Sequence, residues 1–173
     1  MDTDALKALQ QPLKEQYRAQ PETAVVTLRA DGQLGEEVSC SVQTGRALVE
    51  AGLHPATGGD GSLACSGDML LQALVACAGV TMQSVATSIG IVVSGSVEAE
   101  GDLDFRGTLA VSKDAPVGFR TIRLRFNVVS DAPDDEIATL LRLTERYCVV
   151  YQTLAGNPSL STELTRAQSD TTG

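Results

Sequence analysis

Two of the four cysteines have sequence contexts in which a thiol can do chemistry. Cys77 lies within a helical pattern of apolar residues, and Thr81 and Ser84 place two hydroxyl groups on its face of that helix. Cys148 follows Arg146 at a point where a second helical pattern restarts, so amide N–H groups and a nearby positive charge favour its thiolate. On the residues alone, Cys148 therefore has the more reactive context.

The other two cysteines and the single histidine have weaker contexts. Cys40 alternates with apolar residues in a strand pattern, which favours a buried structural role. Cys65 borders a loop rich in turn formers, and His54 lies at the other edge of that loop. No two cysteines form a CxxC pair, so the sequence predicts neither a zinc site nor a thioredoxin-type motif, and we expect no metal and no cofactor.

The elements that must position these residues begin with a helical extension over residues 1–22, interrupted at Pro12. Residues 24–30 and 36–43 alternate as strands, and Asp31-Gly32 between them predicts a hairpin turn. The long loop of residues 54–62 follows. The evenly apolar stretch from Ser66 to Ile89 then predicts a buried central helix with Ser66 as its N-cap and Gly90 as its stop. Its small residues would let a second copy of the helix approach closely.

The second half of the chain predicts three strands and then two helices. The strand patterns cover residues 91–100, 105–113 and 119–129, and in the last of them apolar residues alternate with polar ones. A helix begins after Asp131, breaks near Cys148 and ends at Gly156. Residues 159–166 form a further edge-strand pattern and 167–173 a polar tail. This order predicts an α+β fold in a single domain over residues 1–173.

Charge and composition exclude several classes of function. The chain has 173 residues and a net charge of −9, the wrong sign for a surface that collects phosphates, so we expect no nucleic-acid partner. It contains no run of 18 or more apolar residues, and its first residues do not have the pattern of a secretory signal. We therefore expect a cytoplasmic protein without a membrane association.

Two segments resemble the cysteine motifs of one known family. Residues 63–82, LACSGDMLLQALVACAGVTM, resemble the first cysteine helix of the OsmC/Ohr family of osmotically inducible and organic hydroperoxide resistance proteins. Residues 144–154, TERYCVVYQTL, are similar to the second cysteine segment of that family. The order of elements from about residue 24 to 166 also matches.

The resemblance implies an intertwined homodimer in which central cysteine-bearing helices are wrapped by antiparallel sheets. It implies a thiol peroxidase in which Cys77 is the peroxidatic cysteine, Cys148 the resolving cysteine and Asp68 the acidic residue at the start of the helix. Such an enzyme reduces organic hydroperoxides through a sulfenic acid and a disulfide, and a dithiol, for which the family suggests a lipoyl type, restores it. Arg29 and Arg46 are the candidates for a guanidinium that stabilises the thiolate.

Two alternatives remain open at this point. The chain resembles a family whose fold would also suit a protein that binds a small apolar ligand or a partner with little peroxidase activity. A protein that handles thiol–disulfide exchange or persulfides would use the same pair of cysteines.

Overall fold

The computed structural model describes residues 2–5, 8, 10–11, 19–20, 32–34, 39–44, 47–110 and 112–166. Helical residues at positions 3–5 fall in the predicted N-terminal extension. The elements that follow are, in chain order, β1 (Gly32–Leu34), β2 (Ser39–Thr44), β3 (Ala47–Gly52), β4 (Ala64–Cys65), α1 (Ser66–Ile89), β5 (Ser94–Leu103), α2 (Phe105–Thr108), β6 (Phe119–Val129), α3 (Asp134–Tyr147) and α4 (Val149–Ala155). This mixture of segregated helices and sheets is the predicted α+β fold.

The central helix α1 has the predicted extent, with a one-residue correction at its start. Cys65 in extended conformation is the N-cap and Ser66 is already helical, because Cys65 continues the short strand β4 up to the helix. Gly90 ends the helix with a φ of 81°, a left-handed conformation that glycine adopts without the steric cost of a Cβ, and its N–H closes the last turn.

One face of α1 forms the core of the protein. Its buried residues face β5, α3 and α4, and Leu140 of α3 packs among them with none of its surface exposed. The buried residues of α1 are Leu74, Ala78, Met82, Val85 and Ala86. Burial of this apolar face accounts for the position of α1 at the centre of the fold.

The opposite face of α1 is apolar but exposed. Within the described residues, α1 alone is long and apolar enough to cross a membrane, with a mean hydropathy of 1.6 over 18 residues, of which 22% are buried in the chain. Core helices meet the same criteria of length and composition, and α1 packs through its buried face in the way such helices do. Leu70, Ala73, Ala76 and Val80 form an exposed stripe on its other side.

A two-stranded antiparallel sheet of β5 and β6 covers one side of α1. β6 has the predicted bounds, whereas β5 is shifted three residues towards the C-terminus of the strand predicted over 91–100. Arg123 and Arg125 lie on the outer face, where Arg123 donates to Asp102 and Arg125 pairs with Glu100 at 3.1 Å. These arginines therefore belong to a solvated sheet face, and the hydrogen bonds from Arg123 hold the pKa of Asp102 below its usual range.

The prediction of a strand over residues 105–113 is wrong. Residues 105–108 form the short helix α2, because the Asp104 carboxylate accepts hydrogen bonds from the backbone N–H and the guanidinium of Arg106 and so caps a helical turn. Ala110 then adopts a φ of 56°, which ends regular structure. The predicted three-strand meander is therefore a β-strand pair with a helical connection.

The N-terminal sheet has the order β1-β2-β3-β4, and its hairpin differs from the predicted one. Gly32 lies in β1, opposite Val42, and Leu34 lies opposite Cys40. Gly32 is therefore a strand residue rather than part of a turn, because cross-strand pairing outweighs the local Asp-Gly signal. β3 and β4 were not predicted from the sequence, and the strand predicted over 24–30 lies outside the described residues.

Helices α3 and α4 meet at a break that the sequence predicted. Cys148 has ψ 109°, outside the helical range, so α3 ends before it and α4 begins after it. α4 ends at Gly156, also as predicted. Residues 157–166 continue as exposed, non-helical chain, so the edge strand predicted over 159–166 does not form here, since no neighbouring strand in the described residues pairs with it.

Replacement of Leu140 by alanine tests the packing of α1 on α3. We expect a loss of about 2–5 kcal/mol of unfolding free energy, because a fully buried leucine is truncated and leaves a cavity. Denaturant unfolding followed by circular dichroism measures it. Leu164→Ala is the control, since Leu164 is 93% exposed; equal effects of the two substitutions would contradict this packing.

Candidate functional site

Cys77 lies in the middle of α1, at the border between the buried face and the exposed stripe. Its neighbour Ala78 is fully buried, Ala76 is exposed, and Cys77 itself is partly buried. This position results from the helical periodicity, since the residue lies about 60° around the helix from Val80 of the stripe and about 60° on the other side from buried Leu74. The thiol is therefore accessible to a small reagent while its backbone is fixed within a long helix.

Cys148 occupies the joint between α3 and α4. Its side chain is 1% exposed, and its N–H donates to the carbonyl of Thr144 at 2.9 Å, which completes the last turn of α3. Its own carbonyl accepts from the N–H of Gln152 at 2.9 Å as the first bond of α4. The break in the helix thus turns the Cys148 side chain into the interior, towards α1.

The structure brings Cys77 and Cys148 together. Each thiol influences the other: Cys148 helps to lower the pKa of Cys77, and Cys77 helps to raise the pKa of Cys148. The backbone N–H groups of Val150 and Val149 and the hydroxyl of Thr81 also help to lower the pKa of Cys77. Both cysteines are free thiols.

These contacts shift the pKa values of the two thiols in opposite directions. Burial raises the pKa of Cys77, but the hydrogen bonds from Val150, Cys148, Val149 and Thr81 together outweigh it, so its pKa lies below the ordinary value. Burial also raises the pKa of Cys148, and the adjacent Cys77 sulfur raises it further. Cys77 is thus the more acidic thiol of the pair and Cys148 the less acidic one.

This result corrects the order of reactivity predicted from the residues alone. The amide groups at the start of α4 were expected to favour the thiolate of Cys148. Those of Tyr151 and Val150 do lower its pKa, but burial and the Cys77 sulfur outweigh them, whereas those of Val150 and Val149 lower the pKa of Cys77 on the neighbouring helix. The sequence contained the relevant signal, a helix that restarts after a cysteine, but the balance between burial and hydrogen bonding at each sulfur depends on how α4 packs against α1. Val149 and Val150 were missed because they act through their backbone.

The remaining predicted site residues are not part of this pair in the structure. Asp68 is exposed in the first turn of α1, and because the helix is continuous it lies roughly 13 Å along the axis from Cys77. Arg29 and Arg46 lie outside the described residues. The leading hydrogen-bond donors to Cys77 within the described part of the chain are all uncharged groups.

Cys65 and His54 each make contacts of their own and do not belong to the Cys77–Cys148 pair. Cys65 is half-buried at the N-cap of α1, and Gly67 packs close to its sulfur. His54 caps a short 3₁₀ turn by accepting the N–H of Ala56 on Nδ1 at 3.0 Å, and its ring stacks on Phe105 at 4.9 Å. No group of three His, Cys, Asp or Glu residues within the described ranges is placed to hold a metal ion.

A groove of about 560 Å³ lies near the cysteine pair, and its lining combines apolar side chains with the polar Arg120, Thr121 and Glu145. It is enclosed by β6, α3 and α4, and two of its lining residues, Leu74 and Tyr151, each lie one helical turn from one of the cysteines. Its other apolar lining residues are Phe119, Ile122, Leu124, Phe126, Leu141 and Leu154. The groove offers an apolar surface to the organic part of a small molecule.

The rate at which a thiol reagent modifies each cysteine tests the assigned acidities. We expect Cys77 to react with iodoacetamide at a lower pH than Cys148, because the thiolate is the nucleophile and the pKa of Cys77 is lowered while that of Cys148 is raised. Mass spectrometry of the peptides that contain each cysteine resolves the two rates between pH 5 and 10. A Cys148 profile below that of Cys77 would refute the assignment.

Comparisons with known proteins identify both a family model and similar structures. The model of the family described as OsmC-like protein matches residues 59–163. No curated protein sequence matches significantly. An OsmC-like protein from Mycoplasma pneumoniae has a similar fold, with a TM-score of 0.64 at 19% identity over 76% of this chain and 89% of the other.

Two organic hydroperoxide resistance proteins also share the fold. The protein from Elizabethkingia anophelis has a TM-score of 0.61 at 16% identity, over 77% of this chain and 91% of its own. OhrB of Bacillus subtilis has a TM-score of 0.51 at 18% identity, over 76% of this chain and 93% of its own. At such identities these structures establish the fold.

Proposed function

We propose that this chain, which belongs to the OsmC-like protein family, is a cysteine-based peroxidase that reduces organic hydroperoxides to alcohols. The observation that carries the proposal is a pair of interacting thiols whose pKa values are shifted in opposite directions. The pKa of Cys77 is lowered and that of Cys148 is raised. A peroxidase of this type needs one thiolate that attacks the peroxide and a second thiol that later condenses with the sulfenic acid. The names of the similar organic hydroperoxide resistance proteins support the same substrate class.

The first step is attack by the Cys77 thiolate on the terminal oxygen of the hydroperoxide. The S–O bond forms as the O–O bond breaks, and the electron pair leaves with the alkoxide, which takes up a proton to give the alcohol. Cys77 is then a sulfenic acid, oxidised by two electrons. The N–H groups of Val149 and Val150 point at this sulfur and stabilise the negative charge before attack.

The second step is condensation of Cys148 with the sulfenic acid. The Cys77–Cys148 disulfide forms and one water molecule leaves. Burial is the main cause of the raised pKa of Cys148, and the adjacent Cys77 sulfur raises it further. The contribution from the negative sulfur ends when Cys77 becomes a neutral sulfenic acid, so the pKa of Cys148 falls after the first step. An external dithiol, of the lipoyl type suggested by the resemblance, would reduce the disulfide by exchange.

The groove beside the cysteines supports an organic rather than an inorganic hydroperoxide. Its aliphatic and aromatic lining would bury the carbon skeleton of the substrate and bring the peroxide group towards Cys77. The same groove favours the second candidate function, binding of a small apolar ligand without turnover. The proposed cycle requires thiols that are kept reduced, which supports a location in the cytoplasm.

The exposed stripe of α1 supports a homodimer. Val80 is 73% exposed and Leu70 38% exposed, and between them lie Ala73 and Ala76, which would let a second backbone approach. A two-fold pairing of α1 with its copy would bury this stripe, since such an interface matches one surface with itself. Because Cys77 borders the stripe, each site would lie beside the subunit boundary.

Consumption of cumene hydroperoxide by the reduced protein, with dihydrolipoamide or dithiothreitol present, tests the peroxidase. We expect Cys77→Ser to reduce turnover to background, a loss of roughly 100-fold or more, because the nucleophile is removed. Cys148→Ser should complete the first step and accumulate a sulfenic acid on Cys77, detected by dimedone labelling.

Cys65→Ser is the matched control, because Cys65 is a half-buried thiol outside the pair. It should retain the wild-type rate. Wild-type protein that is no faster than the Cys77 and Cys148 double variant would exclude the peroxidase and leave apolar-ligand binding as the function of the groove.

Light scattering of the purified protein tests the dimer. We expect a mass of twice 18.1 kDa for the wild type, and a shift towards 18.1 kDa in Val80→Glu, because a charge would be buried against its own copy. Val117→Glu is the control, since Val117 is 66% exposed in a loop away from α1. A monomeric wild type would contradict the dimer.

A further inference from the structure

Thr81 lies one helical turn after Cys77 on α1. Its hydroxyl donates to the carbonyl oxygen of Cys77 at 2.8 Å, and its side chain is partly buried. The same hydroxyl is within hydrogen-bonding reach of the Cys77 sulfur. It therefore faces two acceptors of one residue, the backbone carbonyl and the side-chain sulfur.

The bond to the carbonyl alone assigns no role, because helix hydroxyls commonly bond the carbonyl four residues earlier. Thr87 donates to Gln83 on the same helix, and Thr144 to Leu140 on α3, each at 2.8 Å. Thr81 differs from both in that the residue four positions earlier carries the thiol of the cysteine pair. This difference makes Thr87 an internal control for Thr81.

A threonine hydroxyl has one proton, so it cannot donate to both acceptors at once. In the structure the hydroxyl lies 2.8 Å from the carbonyl oxygen and donates to it, and while Cys77 is a thiol the hydroxyl oxygen can accept the S–H. When Cys77 ionises, a donor is needed at the sulfur. The carbonyl remains satisfied by the helical N–H bond of the continuous helix α1, so the hydroxyl can rotate towards the sulfur at little cost.

We propose that Thr81 is a positioning residue for the Cys77 thiolate, whose hydroxyl turns from the Cys77 carbonyl to the Cys77 sulfur when the thiol ionises. This inference rests on the proposed function, in which Cys77 is the attacking thiolate. The hydroxyl joins the N–H groups of Val149 and Val150 and the thiol of Cys148 around the sulfur. It is the one donor among them that belongs to α1 itself, so it fixes the charged sulfur relative to its own helix.

The test replaces the hydroxyl while keeping the shape of the side chain. In Thr81→Val the thiolate loses a donor, the pKa of Cys77 rises, and modification of Cys77 by iodoacetamide at pH 6 slows roughly 3- to 10-fold. The rates of variant and wild type should converge at pH 10, where both thiols are ionised. Thr81→Ser should restore the wild-type profile, and Thr87→Val should leave it unchanged.

The outcomes separate this inference from the proposed function. The iodoacetamide rates of the Cys77 peptide require no peroxidase turnover, so they test Thr81 even in a chain that does not reduce cumene hydroperoxide. Thr81→Ala serves as a second hydroxyl-free variant should Thr81→Val fold poorly. A wild-type pH profile in either hydroxyl-free variant, or the same shift in Thr87→Val or Thr81→Ser, would overturn the role of Thr81.

Discussion

The placement of the α3–α4 break against the middle of α1 is the constraint on which the site depends. Cys148 sits in that break with its side chain 1% exposed, and the first N–H groups of α4 reach the sulfur of Cys77. A continuous helix through residue 148 would use those N–H groups for its own backbone bonds. The break therefore supplies both the second thiol and donors that lower the pKa of the first.

The sequence predicted the elements whose signals are local. The glycine stop of α1, the bounds of β6 and the break at Cys148 follow from a left-handed glycine, strict alternation and an interrupted periodicity. The strand predicted over residues 105–113 failed because a single side chain, Asp104, caps a helical turn. The edge strand over 159–166 failed because a strand requires a partner, and periodicity within one segment cannot specify one.

The two cysteines of the candidate site could be predicted from the sequence, but the order of their pKa values could not. The two cysteine motifs identified Cys77 and Cys148, yet the context of each residue ranked their acidities in the wrong order. Local sequence shows which amide groups are free at a helix start; it does not show whether a second sulfur lies within their reach. That information comes from the packing of α4 on α1, as does the burial that raises the pKa of Cys148.

The two faces of α1 connect stability to chemistry. Its buried face holds the core through Leu74 and Ala78, its exposed stripe ends beside Cys77, and the thiol lies on the border between them. A second copy docked on the stripe would further desolvate the sulfur, which by itself disfavours the thiolate. The neutral donors of α4 and Thr81 become more effective in the same drier surroundings, because a hydrogen bond to a charge strengthens as the local dielectric falls. The donors around Cys77 are therefore what would allow a thiolate to persist at a subunit boundary.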